Sequence, residues 1–370
     1  MRVDVVMGTR PEAIKLAPVV RALRERVGVR CRVVAAGQHR ELLERALADF
    51  GLKADVELGL MRPGQGLAEL AARGVEELDR VFAAGRPDVV LVQGDTTTAL
   101  CGALAAFYRV IDLGHVEAGL RTGDLRAPWP EEAHRQMIAR LARWHYAPTE
   151  RAAANLRSEG VCGSSIVVTG NTGIDALEWM RTRLREEGGK GLPDWVVGGE
   201  GRLVLITLHR REHFGEAMRG VCRAIGELAR RFPGDRFVFP VHPNPEVRRV
   251  VGAELGGGPR NLRLVEPIGY RAMVGALEAS ALVLTDSGGV QEEAPTFGVP
   301  VLVLRTVTER PEAVEAGCSR LVGVDPARIV EEGVRVLEAG ERFTGRNPYG
   351  DGRAAWRIAE SLGGARGSAG

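Results

Sequence analysis

A chain of 370 residues that is 45% hydrophobic and 26% charged is long enough for roughly two domains with their own cores, and too apolar to be disordered. Fifty basic residues offset 48 acidic ones, leaving a net charge of +2 spread along the chain, so the basic stripe that nucleic acid binding requires is missing. No apolar run approaches the roughly 20 residues that span a bilayer.

The first apolar run, residues 3–7, reads as a strand and not as a signal peptide. Further strands are expected at 31–35, 89–92, 111–116, 145–147 and 166–168, separated by helical patterns at 12–26, 39–50, 67–84, 97–108, 131–143 and 150–159. A Gly/Pro-rich stretch at 188–201 precedes a second series of strands at 203–208, 237–241, 262–265, 281–285, 299–304 and 321–324. Alternation of this kind predicts parallel sheets with right-handed crossovers. The expected fold class is α/β, with two Rossmann-like domains facing across a cleft, the first over 1–170 and the second over 171–350, and a flexible tail at 363–370. Five cysteines (Cys31, Cys101, Cys162, Cys222, Cys318) lack C-x-x-C spacing and read as reduced thiols of a cytosolic protein.

Ligands of such sheets bind beyond the carboxyl ends of the strands, so the polar residues there are the candidates. After the first strand comes Gly8-Thr9-Arg10-Pro11-Glu12-Ala13-Ile14-Lys15. Thr9 and Glu12 have capping-box spacing and Pro11 suits an early helical position, which makes a well-formed helix start. That reading leaves Arg10 and Lys15 unexplained, since cations near a positive dipole end make more sense with an anion between them. Lys15 is one of only three lysines in an arginine-rich chain, the others being Lys53 and Lys190.

Asp95 in Gln93-Gly94-Asp95-Thr96-Thr97-Thr98 and Glu117 in the stretch from His115 to Gly123 follow two further strands, and Pro128-Trp129-Pro130-Glu131-Glu132 opens a helix. Each has an ordinary explanation: an N-cap for Asp95, a surface ion pair with Arg121 for Glu117, and a favourable first-turn charge for the glutamates. Three carboxylates on one rim are harder to dismiss, because mutual repulsion would separate an acid from a base. His209-Arg210-Arg211-Glu212-His213 has the H-x-x-E-H spacing of a zinc site. It falls directly after a strand, outside any amphipathic helix, and two arginines would crowd a dication, so no metal is expected. His209 is the member expected to face the ligand.

The most informative stretch is Thr285-Asp286-Ser287-Gly288-Gly289-Val290-Gln291-Glu292-Glu293-Ala294. Two glycines stand where a strand turns into a helix, where unpaired N–H groups and the dipole welcome a phosphate. Glu292 or Glu293, one turn on, is placed to accept from ribose hydroxyls. The simpler alternative is a helix capped by Asp286 or Ser287.

These motifs, together with Glu309-Arg310-Pro311-Glu312 and the run from Asn347 to Gly352, occur in the same order in one family. From the first strand to about residue 362 the chain resembles the non-hydrolysing UDP-N-acetylglucosamine 2-epimerases. The resemblance implies the glycosyltransferase-B architecture, with a C-terminal helix at about 351–362 returning to the first domain. It implies Ser287, Gly288 and Gly289 on the diphosphate, Glu293 on the ribose, Arg10, His209 and Arg310 on the charged part of the nucleotide, and Lys15 near sugar or phosphate. Ile268 and Met273 would lie by the uracil. Asp95, Glu117, Glu131 and His209 would be the catalytic residues, the three carboxylates as acid and base, and Asp95, Glu117 and His209 would also touch substrate. The implied reaction interconverts UDP-N-acetylglucosamine and UDP-N-acetylmannosamine through loss and return of UDP. It would run in the cytoplasm, in a homodimer without cofactor, and supply N-acetylmannosamine units for cell-surface polysaccharide.

A UDP-sugar glycosyltransferase of the same architecture is the alternative, and would share the nucleotide half but not the three carboxylates. A silent nucleotide-sugar sensor would not retain them either. Relatives activated by a second nucleotide-sugar carry a Gln-His-Arg-Gln stretch and a downstream Arg. Here Gln38-His39-Arg40-Glu41 and Gly64 stand at those places, and His213 replaces a more usual Asn or Ser.

Without a plausible metal cluster or a complete G-x-G-x-x-G fingerprint, turnover is expected to persist in EDTA and without added nicotinamide. Loss of turnover on chelation, restored by zinc, would make His209 and His213 metal ligands instead.

Overall fold

The computed structural model describes residues 1–37, 40–62, 64–210 and 215–364. Gln38 and His39 of the altered activator stretch, Arg211, Glu212 and His213 of the H-x-x-E-H run, and residues 365–370 of the expected tail lie outside the described residues. The chain divides into two units, one made of Met1–Trp179 with Tyr349–Gly370 and the other of Met180–Pro348. Among the described residues, no helix is long and apolar enough to cross a membrane.

The first unit is built on seven parallel strands: β1 (Arg2–Met7), β2 (Arg30–Ala35), β3 (Val56–Glu57), β4 (Val89–Gln93), β5 (Asp112–Val116), β6 (Trp144–Ala147) and β7 (Ile166–Val168). Their spatial order is β3-β2-β1-β4-β5-β6-β7. The central strands are mostly apolar because neither face meets water: Val3, Val5, Val6 and Met7 of β1 and Val90, Leu91 and Val92 of β4 are all fully buried, and the buried charge of β1, Asp4, is paired with Arg32. The strand order reverses between β1 and β4, which opens a crevice at their carboxyl ends.

The second unit repeats the plan with six parallel strands: β8 (Leu203–Thr207), β9 (Arg236–Pro240), β10 (Leu262–Val265), β11 (Ser280–Thr285), β12 (Val301–Val303) and β13 (Ser319–Leu321). The order β10-β9-β8-β11-β12-β13 reverses between β8 and β11. A core of Val204, Ile206, Phe237, Phe239, Leu282 and Leu284 packs one face of the sheet against Ile225 and Leu228 of the helix Glu216–Arg231.

Differences from the expected elements have local causes. The strand β3 escapes sequence reading because it is a two-residue edge. The last strand starts earlier than the apolar run 321–324 because Cys318 O accepts from Val301 N (3.2 Å) and Val322 N donates to Val303 O (3.0 Å), which fixes the register upstream. The first helix, Arg10–Arg24, starts before the expected residue 12, since Thr9 caps it and Pro11 sits inside the first turn. The expected domain limit of 170 falls before the observed division at Trp179. The helix Thr172–Glu186 begins in the first unit, where Trp179 stacks on Phe50 at 5.0 Å and under Arg21 at 5.1 Å.

After the second unit the chain re-enters the first. Asn171 N donates to Tyr349 O (2.7 Å), and the helix Ala354–Gly364 is capped by Asp175, whose carboxylate accepts from Ala354 N (3.1 Å) and Ala355 N (2.8 Å). Burial pushes Asp175 up to about 6 even though these amides favour its anion.

An Asp raised in the folded state stabilises the fold at pH values below its unfolded pKa, and that contribution disappears as pH rises through 6. Relative to Asp175→Asn, the wild type should lose roughly 2–3 kcal/mol between about pH 4 and pH 6.5. Paired urea melts at the two pH values measure it, and a difference independent of pH would contradict the raised titration.

Candidate active site

In the first unit the candidate residues begin at the β1–helix turn. Gly8 is required there because a Cβ would sit 2.2 Å from Thr98 Oγ1. Thr9 Oγ1 accepts from Glu12 N (3.4 Å), and the Glu12 carboxylate accepts from Gly8 N (3.0 Å), Thr9 Oγ1 (2.7 Å) and Thr96 Oγ1 (2.7 Å). The expected capping box is therefore present, extended by a bond to the turn after β4. Burial raises the Glu12 pKa against these donors.

Asp95 and Glu117 emerge from paired strands, with Gln93 opposite Val116 and Gly94 N donating to Val116 O (3.0 Å). Neither fits its ordinary explanation. The N-cap of the next helix is Thr96, which accepts from Ala99 N, while Asp95 Oδ2 accepts from Arg135 NH2 at 2.5 Å. Glu117 does not pair with Arg121, which forms a fork onto Glu159 (2.6 and 2.9 Å). Glu117 instead binds Lys15 Nζ and accepts from Gln93 Nε2 (3.1 Å). The anion beside Lys15 is thus the protein's own carboxylate. Unshielded repulsion among the carboxylates is not what the structure shows, because an ammonium and a guanidinium are already paired with two of them.

Glu117 also has φ +62°, a left-handed conformation that costs a non-glycine residue on the order of 1 kcal/mol. Below it His115 is fully buried, its Nε2 2.7 Å from Gly94 O, and burial pushes its pKa down to about 3. Glu131 is the first residue of the helix Glu131–Leu141 and half-buried; its neighbour Glu132 is fully buried.

In the second unit the candidate residues are organised by Asp286, which is fully buried. Its carboxylate accepts from His209 N (3.1 and 3.0 Å) and Arg210 N (2.9 Å), and His209 Nδ1 lies at 2.9 Å. Asp286 therefore does not cap the helix Gly288–Glu293. Ser287 occupies the N-cap place without a side-chain capping bond. A Cβ on Gly288 would meet Arg310 Cζ at 2.5 Å, so the glycine makes room for that guanidinium, whose Nε donates to Glu292 Oε1 (2.8 Å). Of the two candidate ribose acceptors, Glu292 is thus buried and paired, and Glu293 is the partly exposed one. Burial alone would raise Glu309, but the hydrogen bond from Arg305 and the charges of Arg305, Arg310 and Arg210 outweigh it and hold it at about 2.

Ile268 lies in the loop after β10. Met273, in the helix Tyr270–Ala279, packs against the apolar cluster containing Val283 and Val290. Among the described residues, no group of three or more His, Cys, Asp or Glu side chains is arranged to hold a metal ion.

Sequence reasoning missed four participants. Arg135 and Glu132 contact the Asp95 network, Gln93 contacts Glu117, and His242 lies with its ring 5.9 Å from that of His209. Arg135 stands four residues after Glu131 on the same helix, a spacing that places both on one face. His242 follows β9 as His209 follows the neighbouring β8, which the strand-end rule was sufficient to flag.

A family model described as UDP-N-acetylglucosamine 2-epimerase matches residues 21–363. The chain is 48% identical to the UDP-N-acetylglucosamine 2-epimerase of Escherichia coli K12, with 98% of each chain covered. It is 44% identical to that of Bacillus subtilis 168, covering 98% of this chain and 95% of that one. A crystal structure of the Neisseria meningitidis enzyme bound to UDP-GlcNAc superposes with a TM-score of 0.88 at 42% identity, covering 98% of this chain and 99% of that one. The Methanocaldococcus jannaschii enzyme in complex with UDP-GlcNAc and UDP gives 0.82 at 31% identity, covering 98% and 99%. A spinosyn rhamnosyltransferase at 18% identity and a TM-score of 0.54 shares the fold alone, which relates the two sheets to the glycosyltransferase-B architecture.

The two glycines with different surroundings provide a check on the site's packing. Gly8→Ala is expected to cost about 1–3 kcal/mol through overpacking against Thr98. Gly289→Ala, where nothing lies within 4 Å of the added carbon, is expected to be neutral or to stabilise by up to about 1 kcal/mol. Equal effects in chemical melts would contradict the close approach at Gly8.

Proposed function

The chain belongs to the UDP-N-acetylglucosamine 2-epimerase family and is a non-hydrolysing isomerase, and on that premise we propose how its residues invert C2 of UDP-N-acetylglucosamine. The C2 proton is not beside a carbonyl, so a carboxylate cannot remove it unless the anomeric C–O bond breaks as well. Departure of UDP carries that bond's electron pair to a β-phosphate oxygen. The proton passes from C2 to a carboxylate, and C1 and C2 become the double bond of 2-acetamidoglucal. A proton then returns to the opposite face of C2 while the phosphate oxygen attacks C1.

Leaving-group stabilisation falls to Ser287, Gly288, Gly289, Arg310, His209 and Arg10, which place N–H groups and positive charge where the diphosphate charge develops. Glu293 binds the ribose, and Ile268 and Met273 lie by the base. Asp95, Glu117 and Glu131 move the protons, and Lys15 holds Glu117. The observation that best supports this reading is the emergence of Asp95 and Glu117 side by side from β4 and β5, each with its own cation. Fixed donors hold both carboxylates in place, which suits proton transfer. UDP must stay bound throughout. Homodimeric assembly, a cytoplasmic location and a role in supplying N-acetylmannosamine units for cell-surface polysaccharide rest on the family resemblance alone.

Turnover in D₂O is expected to place deuterium at C2 of the product. Asp95→Asn, Glu117→Gln and Glu131→Gln should each lower kcat about 10²-fold or more and leave UDP affinity nearly unchanged. Near-normal turnover in all three variants would remove the carboxylates from the mechanism. Product retaining its original hydrogen at C2, together with a requirement for NAD, would replace elimination by oxidation and reduction.

A further inference from the structure

The helix Glu131–Leu141 opens with two glutamates, and the buried one has its own task. Glu132 has a fully buried side chain, so its carboxylate depends on internal donors. Oε1 accepts from Gln136 Nε2 (2.9 Å), Oε2 accepts from Thr122 N (3.2 Å), and Arg135 NH1 lies 3.3 Å from Oε2. The other arm of the same guanidinium, NH2, donates to Asp95 Oδ2 at 2.5 Å. Arg135 is 10% exposed, while Asp95 is 26% exposed, so the guanidinium bridges a carboxylate that never meets solvent and one that does. His134 Nδ1, 2.9 Å from Asp95 O, fixes the backbone at the same point.

We propose that Glu132 and Arg135 are positioning residues for Asp95. Glu132 sets the direction of the guanidinium, and the guanidinium sets the direction of the Asp95 carboxylate, leaving Oδ1 to exchange the substrate proton. The inference rests on the acid/base role of Asp95 given above. The chemistry of the bridge explains the residue type. A planar guanidinium reaches two carboxylates through two nitrogens, whereas an ammonium is a single point charge. Helical spacing keeps the three groups in register, since Arg135 follows Glu132 by three residues and Glu131 by four. Thr122 N ties the turn after Glu117 to the same carboxylate, so the bridge also relates the two strand-end loops.

Kinetics of purified full-length variants test the bridge. Arg135→Met is expected to lower kcat about 10²-fold, the penalty for a misplaced reacting group, with KM and UDP affinity within about twofold of wild type. Arg135→Lys and Glu132→Gln should fall between, at about 10-fold, and these two decide the matter if Arg135→Met does not fold. In an Asp95→Asn background, Arg135→Met should add little, because the two act as a unit. The proposal is overturned if the Arg135 and Glu132 variants keep wild-type kcat while Asp95→Asn is inactive. Penalties that multiply in the double variant would also overturn it, as would lower melting temperature and UDP affinity at unchanged kcat. Wild-type turnover in Asp95→Asn would instead remove the premise, and that result is distinguishable because it appears in the single Asp95 variant.

Discussion

In the first unit the placement of Arg10, Lys15 and Asp95 depends on one buried carboxylate. Glu12 sits at the point where strand order reverses and joins the turn after β1 to the turn after β4 through Gly8, Thr9 and Thr96. The helix it belongs to carries Arg10 and Lys15, and the turn it grips carries Asp95. A buried charge is expensive unless its lone pairs are occupied, and here three separate donors occupy them. The same cost makes the arrangement specific, since a shift of either turn would strand the carboxylate without partners.

The second unit solves the same problem with a different residue. Asp286 stands after β11 and grips the backbone after β8, again across the reversal of strand order. In both units a single buried acid fixes two strand-end loops relative to each other, and Arg10, Asp95, His209 and Ser287, all proposed to act on the ligand, lie beside that acid in sequence or in the gripped loop. Rigidity is therefore concentrated where the sheet itself provides none, at the gap between strands that run outward in opposite order.

The sheets were largely legible because buried parallel strands are mostly apolar and their helices begin with recognisable caps such as Thr9 and Thr149. Strand ends also revealed Asp95, Glu117, His209 and the Ser287-Gly288-Gly289 turn, since position in a βα unit is a local property. Partnerships were not legible. Lys15 and Glu117 are 102 residues apart, Arg135 and Asp95 40, and Arg121 prefers Glu159 to its near neighbour Glu117. Such pairs are decided by which helix packs over which strand, and composition and spacing do not carry that information. The edge strands β3 and β13 were missed or displaced for a related reason, because a short edge owes its existence to the neighbour it pairs with.

The left-handed backbone at Glu117 gives that position two opposed selective pressures. Glycine would relax the chain there, since it adopts positive φ without steric penalty, and would remove the carboxylate. A collection of variants sorted only for heat resistance would therefore enrich glycine or asparagine at residue 117 and lose the carboxylate proposed to move a proton. Retention of glutamate in spite of its conformational cost is what selection for turnover would leave behind. On the proposed mechanism, thermostability campaigns on this scaffold should hold this position fixed, although a backbone-only criterion would mark it for replacement.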